Sequence, residues 1–216
     1  MNRTPVPGND TGTGVIVNIA SERVELGSLR RDLIPFYQRW INDFATMRTY
    51  ETPRPLTMEQ ATAWYEKQTH EEQTIRFTVY ELANWRPIGK TALYDVDFHH
   101  RTGEFGIIIG EPDCRGKGYG TEATLLTLDY AFTALTLHNV ILQVAEFNQA
   151  GRRVYGKAGF REFGRRRQCW MMGGRLWDEI YMDCLATEFS SPVLSRVFVQ
   201  SQTNPSTLER SSNEEP

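Results

Sequence analysis

The chain has 216 residues, of which 40% are hydrophobic and 24% charged, with a net charge of −3. That is a globular composition sized for one domain with tails, and the charge gives no general attraction to nucleic acid or to an anionic membrane. No apolar run reaches transmembrane length, the N-terminus has no signal-peptide core, and three cysteines without paired spacing point to a reduced, cytoplasmic setting.

Residues 1–14, rich in Gly, Thr, Pro and Asn, read as a flexible leader. Arg23-Val24-Glu25-Leu26 alternates as a first strand. Leu33, Phe36, Tyr37, Trp40, Ile41 and Phe44 recur at helical spacing over 31–44, with Pro35 restricting the start. Two prolines make 48–55 a loop, and Thr57 with Gln60 opens a second helix through a capping box. Strands follow at 77–80, 89–94 and 104–109. Leu125, Leu128, Phe132 and Leu135 form one face of a third helix. Residues 140–145 read as a buried strand, and Asn148 begins a helix that ends at Gly159. A final hairpin over 165–170 and 177–185 turns through Gly173-Gly174. From 187 to 216 the chain reads as a loose tail, with a docked strand possible over 193–199, so the folded domain is 15–186.

One segment carries chemistry by its spacing. Arg115-Gly116-Lys117-Gly118-Tyr119-Gly120-Thr121 follows an apolar strand and opens a helix. Alternate glycines let an anion approach backbone amides at a helix start, and two cations flank them. A P-loop is excluded because Gly110 lies five residues before Gly116 and Gly118 stands where Ser or Thr is required. The dinucleotide fingerprint is excluded because the glycines run G-x-G-x-G. A second segment, Asn148 to Phe160, places Asn148 and Tyr155 seven residues apart, on one helix face. An N-capping Asn and a packing Tyr would give the same pattern.

Together these segments resemble the GNAT acetyltransferases, in particular the RimJ/RimL type and, in the C-terminal half, the bacterial spermidine N-acetyltransferases. The element order β-α-α-β-β-β-α-β-α-β-β is also the order of that family. The resemblance implies an α/β (α+β) GNAT fold with a central mixed twisted sheet of six or seven strands and about four helices. It implies acetyl-CoA as cosubstrate, with residues 115–121 at its pyrophosphate and Asn148 at its pantetheine arm. The main chain of Ile107, Ile108 and Ile109 would pair with that arm like an added strand.

The activity implied is direct acetyl transfer in a ternary complex to a primary amine of a polyamine, amino-sugar or antibiotic. The alternatives are a RimJ/RimL-type acetyltransferase of protein N-termini, or a CoA-binding sensor without catalysis. An amine with a pKa near ~10 is mostly ammonium at pH 7, and freeing it costs about 4 kcal/mol. Glu104, at the start of the strand lining the cleft, is the candidate base, though a strand-end charge would look the same. Tyr155 is the candidate acid for the leaving thiolate. Tyr50, Glu51, Tyr94 and Asp95, with Asp97 and the final hairpin, are acceptor-site candidates, because acidic and aromatic groups suit a cationic amine. The histidines and cysteines share no metal-ligand spacing, so no metal is expected. Arg165-Arg166-Arg167 is one short cluster rather than a nucleic-acid surface. The family resemblance also implies a possible homodimer.

Overall fold

The structure is a computed structural model that describes residues 15–49 and 54–201. Among these residues one sheet of eight strands runs in the order β1-β2-β3-β4-β5-β6-β8-β7. The strands are β1 (Val17–Ala20), β2 (Val24–Ser28), β3 (Ile75–Glu81), β4 (Arg86–Asp97), β5 (Thr102–Ile109), β6 (Asn139–Ala145), β7 (Arg161–Met172) and β8 (Arg175–Leu185). Every neighbouring pair is antiparallel except β5 and β6. The expected six or seven strands become eight because β1, a four-residue edge strand with a register shift, is too short to show a period.

Helices cover both faces of the sheet. On one side lie α1 (Ile34–Asn42), α2 (Phe44–Met47) and α3 (Met58–Gln68). The other side carries α4 (Tyr119–Asp129), α5 (Gln149–Lys157) and α6 (Leu194–Ser201). Strand alternation divides the core accordingly. Phe105, Leu142, Val144 and Ile180 pack with Tyr155 and Leu128, while Tyr80 packs with Tyr37 and Trp40.

Local chemistry explains the main boundaries. Thr57 and Gln60 make both bonds of the capping box that starts α3. Gly173 and Gly174 both have positive φ, at 62° and 72°, the conformation a two-residue hairpin turn needs. The single helix expected over 31–44 is broken at Asp43, whose extended backbone ends α1 and whose carboxylate caps α2. Phe44, assigned from sequence to the apolar face, is consequently exposed.

The possible strand over 193–199 is instead part of α6. The buried Asp129 carboxylate accepts the N–H groups of Val193 and Leu194, both at 2.9 Å, and so fixes a helix start there. The leader 1–14 lies outside the described residues. No helix among them is long and apolar enough to cross a membrane.

Candidate active site

The site begins where two strands part. β5 and β6 are parallel and pair only at Thr102, Gly103 and Glu104, opposite Asn139, Val140 and Ile141. Beyond Glu104, β5 continues on β4 and β6 on β8, leaving a gap in the middle of the sheet. A cleft of about 390 Å³ occupies this gap. Glu104 and Gln143 enter it from the α1–α3 side, and Val144 and Tyr155 from the α4–α5 side.

The gap exposes main-chain groups of β5, but not equally. Gly110 donates its N–H to Ile88 on β4, so Ile108, two residues back, points its backbone to β4 as well. Ile107 and Ile109 face the gap, and the Ile109 carbonyl accepts from Nε of Arg115 at 3.1 Å. Both main-chain groups of Ile107, and the N–H of Ile109, therefore face the gap where a strand could be added.

Asn148 caps α5, its carboxamide oxygen accepting from Gly151 N–H at 2.9 Å, and it lines the cleft at the same time. The two readings of Asn148 are thus compatible, with the oxygen serving the helix and the NH₂ left over. Tyr155 is nine-tenths buried, between Phe105 and Phe160. Burial alone pushes its hydroxyl up to about 12, so it stays protonated at any physiological pH. No group among the described residues bonds that hydroxyl.

The glycine loop lies just beyond the cleft lining, at the start of α4. Gly116 and Gly118 have φ of 73° and 90°, and nothing lies within 4 Å of the open face at Gly116. Lys117 is exposed, and its carbonyl is held by Arg23, which also pairs with Glu122 in the first turn of α4. Gly120 and Thr121 sit in that same turn. The Tyr119 side chain points elsewhere, its hydroxyl on Glu81 at 2.5 Å. Arg115 is also engaged by the protein. It bonds Thr46 Oγ1 at 2.6 Å and the Gly110 carbonyl at 3.1 Å, and pairs with Asp43 at 3.3 Å. Its guanidinium thus ties α2 to the end of β5.

An open groove of about 820 Å³ adjoins the cleft and shares Tyr94, Glu104 and Gln143 with it. Glu71, Glu72 and Asp95 make it acidic. Asp95 has φ of 46° in a bulge of β4 that shifts the register between Tyr94 and Asp97. Such a bulge redirects side chains next to a site. Tyr50 and Glu51 lie outside the described residues.

Thr46 and Gln143 in the cleft escape the sequence reading, while Trp170 and Glu179 are covered only as members of the final hairpin. Glu179 is one of three carboxylates in β8, with Asp178 and Asp183, and the sequence does not mark it as the one buried to 7% exposure. No group of three or more His, Cys, Asp or Glu gathers to hold a metal among the described residues.

Comparison with known proteins agrees with this geometry. The profile of the acetyltransferase (GNAT) domain matches residues 23–161. The spermidine N(1)-acetyltransferase of Vibrio cholerae is 30% identical over 170 residues, covering 78% of this chain and 96% of its own. That of Escherichia coli is 30% identical over 164 residues, covering 76% and 86%. The crystal structure of spermidine N-acetyltransferase from Vibrio cholerae in complex with CoA and spermine superposes with a TM-score of 0.71, at 30% identity, over 76% of this chain and 96% of that one. The chain belongs to the GNAT acetyltransferases, as an acetyl-CoA-dependent N-acetyltransferase.

Proposed function

We propose that the acceptor is a polyamine, acetylated at a primary amine by direct attack on the donor thioester. The observation that carries this reading is the meeting of the acidic groove with the cleft at Tyr94 and Glu104. A polycation laid along Glu71, Glu72 and Asp95 would bring one end to Glu104. The similarity to spermidine acetyltransferases over most of the chain supports the same class.

In this reading acetyl-CoA enters through the gap, with the open Gly116 face and the first amides of α4 at its pyrophosphate. Asn148 and the main chain of Ile107 hold the pantetheine. Glu104 takes the proton from the acceptor ammonium, directly or through water. The Tyr155 hydroxyl faces the sulfur. With its pKa near 12 and a thiol near ~8.5, outright proton transfer is uphill by about 5 kcal/mol, so Tyr155 acts first as a hydrogen-bond donor to the departing thiolate. Arg115 is a positioning residue, since its hydrogen bonds go to protein partners.

The three cysteines are free, which supports the cytoplasm as the setting. Exposed Phe163 and Met171 on edge strand β7 and Leu176 on β8 support association of two copies through the last strands. The deciding experiment is a thiol-release assay across polyamines, aminoglycosides, amino-sugars and peptide amines. Turnover of polyamines above the rest is expected. Preference for peptide N-termini would instead favour the RimJ/RimL-type reading, and tight CoA binding without transfer to any amine would favour a sensor.

A further inference from the structure

The acidic groove already holds a cation of the protein's own. Arg76, on β3, reaches into the groove that Glu71, Glu72, Asp95 and Glu104 line. Its Nη2 bonds Glu71 at 3.0 Å, and its guanidinium lies 4.7 Å from the centroid of the Tyr94 ring. The side chain is 13% exposed, and its Nε has no hydrogen-bond partner. Tyr94 is fixed on another edge by the absence of a side chain. A Cβ at Gly106 would come within 2.8 Å of Tyr94 Cε2, so the ring takes this position only beside a glycine. A carboxylate and an aromatic face set at one point form a binding place for an alkylammonium. Here an arginine occupies it.

We infer that Arg76 is a specificity-determining residue that takes the place of one substrate ammonium and so limits how many charges an acceptor can lay in the groove. The inference rests on the reading of this groove as the acceptor site. Without the guanidinium, Glu71 keeps only the exposed Lys67 at 3.4 Å and the Tyr94 ring loses the protein's own cation from its face, so a substrate ammonium can compete for that place. The neighbouring Lys90, which bears on the same region, would remain.

The test compares kcat/KM for an unbranched diamine, triamine and tetraamine in the wild type, Arg76→Met and Arg76→Lys, with thermal midpoints for each. Arg76→Met is expected to raise the tetraamine-to-diamine ratio of kcat/KM about tenfold. Arg76→Lys, which keeps a cation on Glu71, is expected to hold the ratio near the wild-type value. A parallel loss for all three amines with a lowered midpoint would mean a structural role and overturn the inference. So would an unchanged ratio in Arg76→Met. The wild type alone tests the acceptor reading: no turnover of any of the three amines would overturn that reading and the inference with it.

Discussion

Arg115 donates a 2.6 Å hydrogen bond to the hydroxyl of Thr46, joining the residue that opens the glycine loop to a helix 69 positions earlier. The same guanidinium holds the carbonyls of Ile109 and Gly110 at the end of β5. An arginine that begins a phosphate loop would be expected to reach the phosphate. Here it secures the wall of the cleft instead. Arg115→Gln should therefore raise KM for both acetyl-CoA and the acceptor, and Thr46→Val should reproduce part of that rise. Because the two side chains share one bond, the double variant should be less impaired than the sum of the two in free energy. Strict additivity in that cycle would show that Arg115 acts on the ligand without Thr46.

Tyr155 separates a catalytic role from a packing one. Its ring packs on Phe105 and Phe160, and Phe would preserve those contacts. Its hydroxyl belongs to a residue that lines the cleft and has no hydrogen-bond partner among the described residues, so removing it leaves no protein group unpaired. Tyr155→Phe should keep or slightly raise the thermal midpoint while lowering kcat by about 10²-fold, the scale for losing one hydrogen-bond donor to a developing anion. The hydroxyl holds its proton up to about 12, so the wild-type pH profile should show no descending limb from Tyr155 below pH 10. An unchanged kcat at saturating substrates would remove Tyr155 from the mechanism.

Asp129 is fully buried in α4 and accepts from Val193 N–H, Leu194 N–H and the Thr133 hydroxyl. Asp129→Ala would leave two amides at a helix start and one hydroxyl without their acceptor, and would remove an anion from the positive end of α6. A loss of about 2–3 kcal/mol in denaturant unfolding is expected. Asp129→Asn keeps an oxygen and should recover part of it. Limited proteolysis should cut Asp129→Ala near residue 190 at protease levels the wild type resists.

The elements that were legible in the sequence are those whose cause is local. The Thr57–Gln60 box, the Gly173-Gly174 turn and the Asn148–Tyr155 face each involve residues within a few positions of one another. What escaped depends on partners far along the chain. Residues 193–199 are rich in Val and Phe, residues that favour strands, and a carboxylate 64 residues away fixes a helix start there. Arg115 sits in a ligand-binding pattern, yet Asp43, Thr46 and two strand-end carbonyls claim its donors. Gln143 and Glu179 reach the cleft through the antiparallel register of β6 and β8, and no periodicity within either strand specifies that pairing.

Lys90 provides a prediction whose sign follows from its surroundings. Its ammonium lies 4.4 Å from the Trp64 ring centroid, and no carboxylate pairs with it among the described residues. Burial, with the nearby Arg76, lowers its pKa from 10.5 to about 8. The folded state therefore binds this proton less tightly than the unfolded chain does. Below pH 8 both states carry the charge, and the folded state bears its full desolvation cost. Between pH 8 and 10.5 the folded state releases the proton first, so stability attributable to Lys90 rises with pH across that window and is level above it. Lys90→Met removes the charge and keeps the stem, so it should raise the thermal midpoint at pH 7 by about 3 °C, the Trp64 contact offsetting part of the gain. The gap to wild type should close as the pH approaches 10.5. A variant less stable than wild type at pH 7, or a gap that does not change with pH, would mean that Lys90 has an anionic partner that offsets its burial.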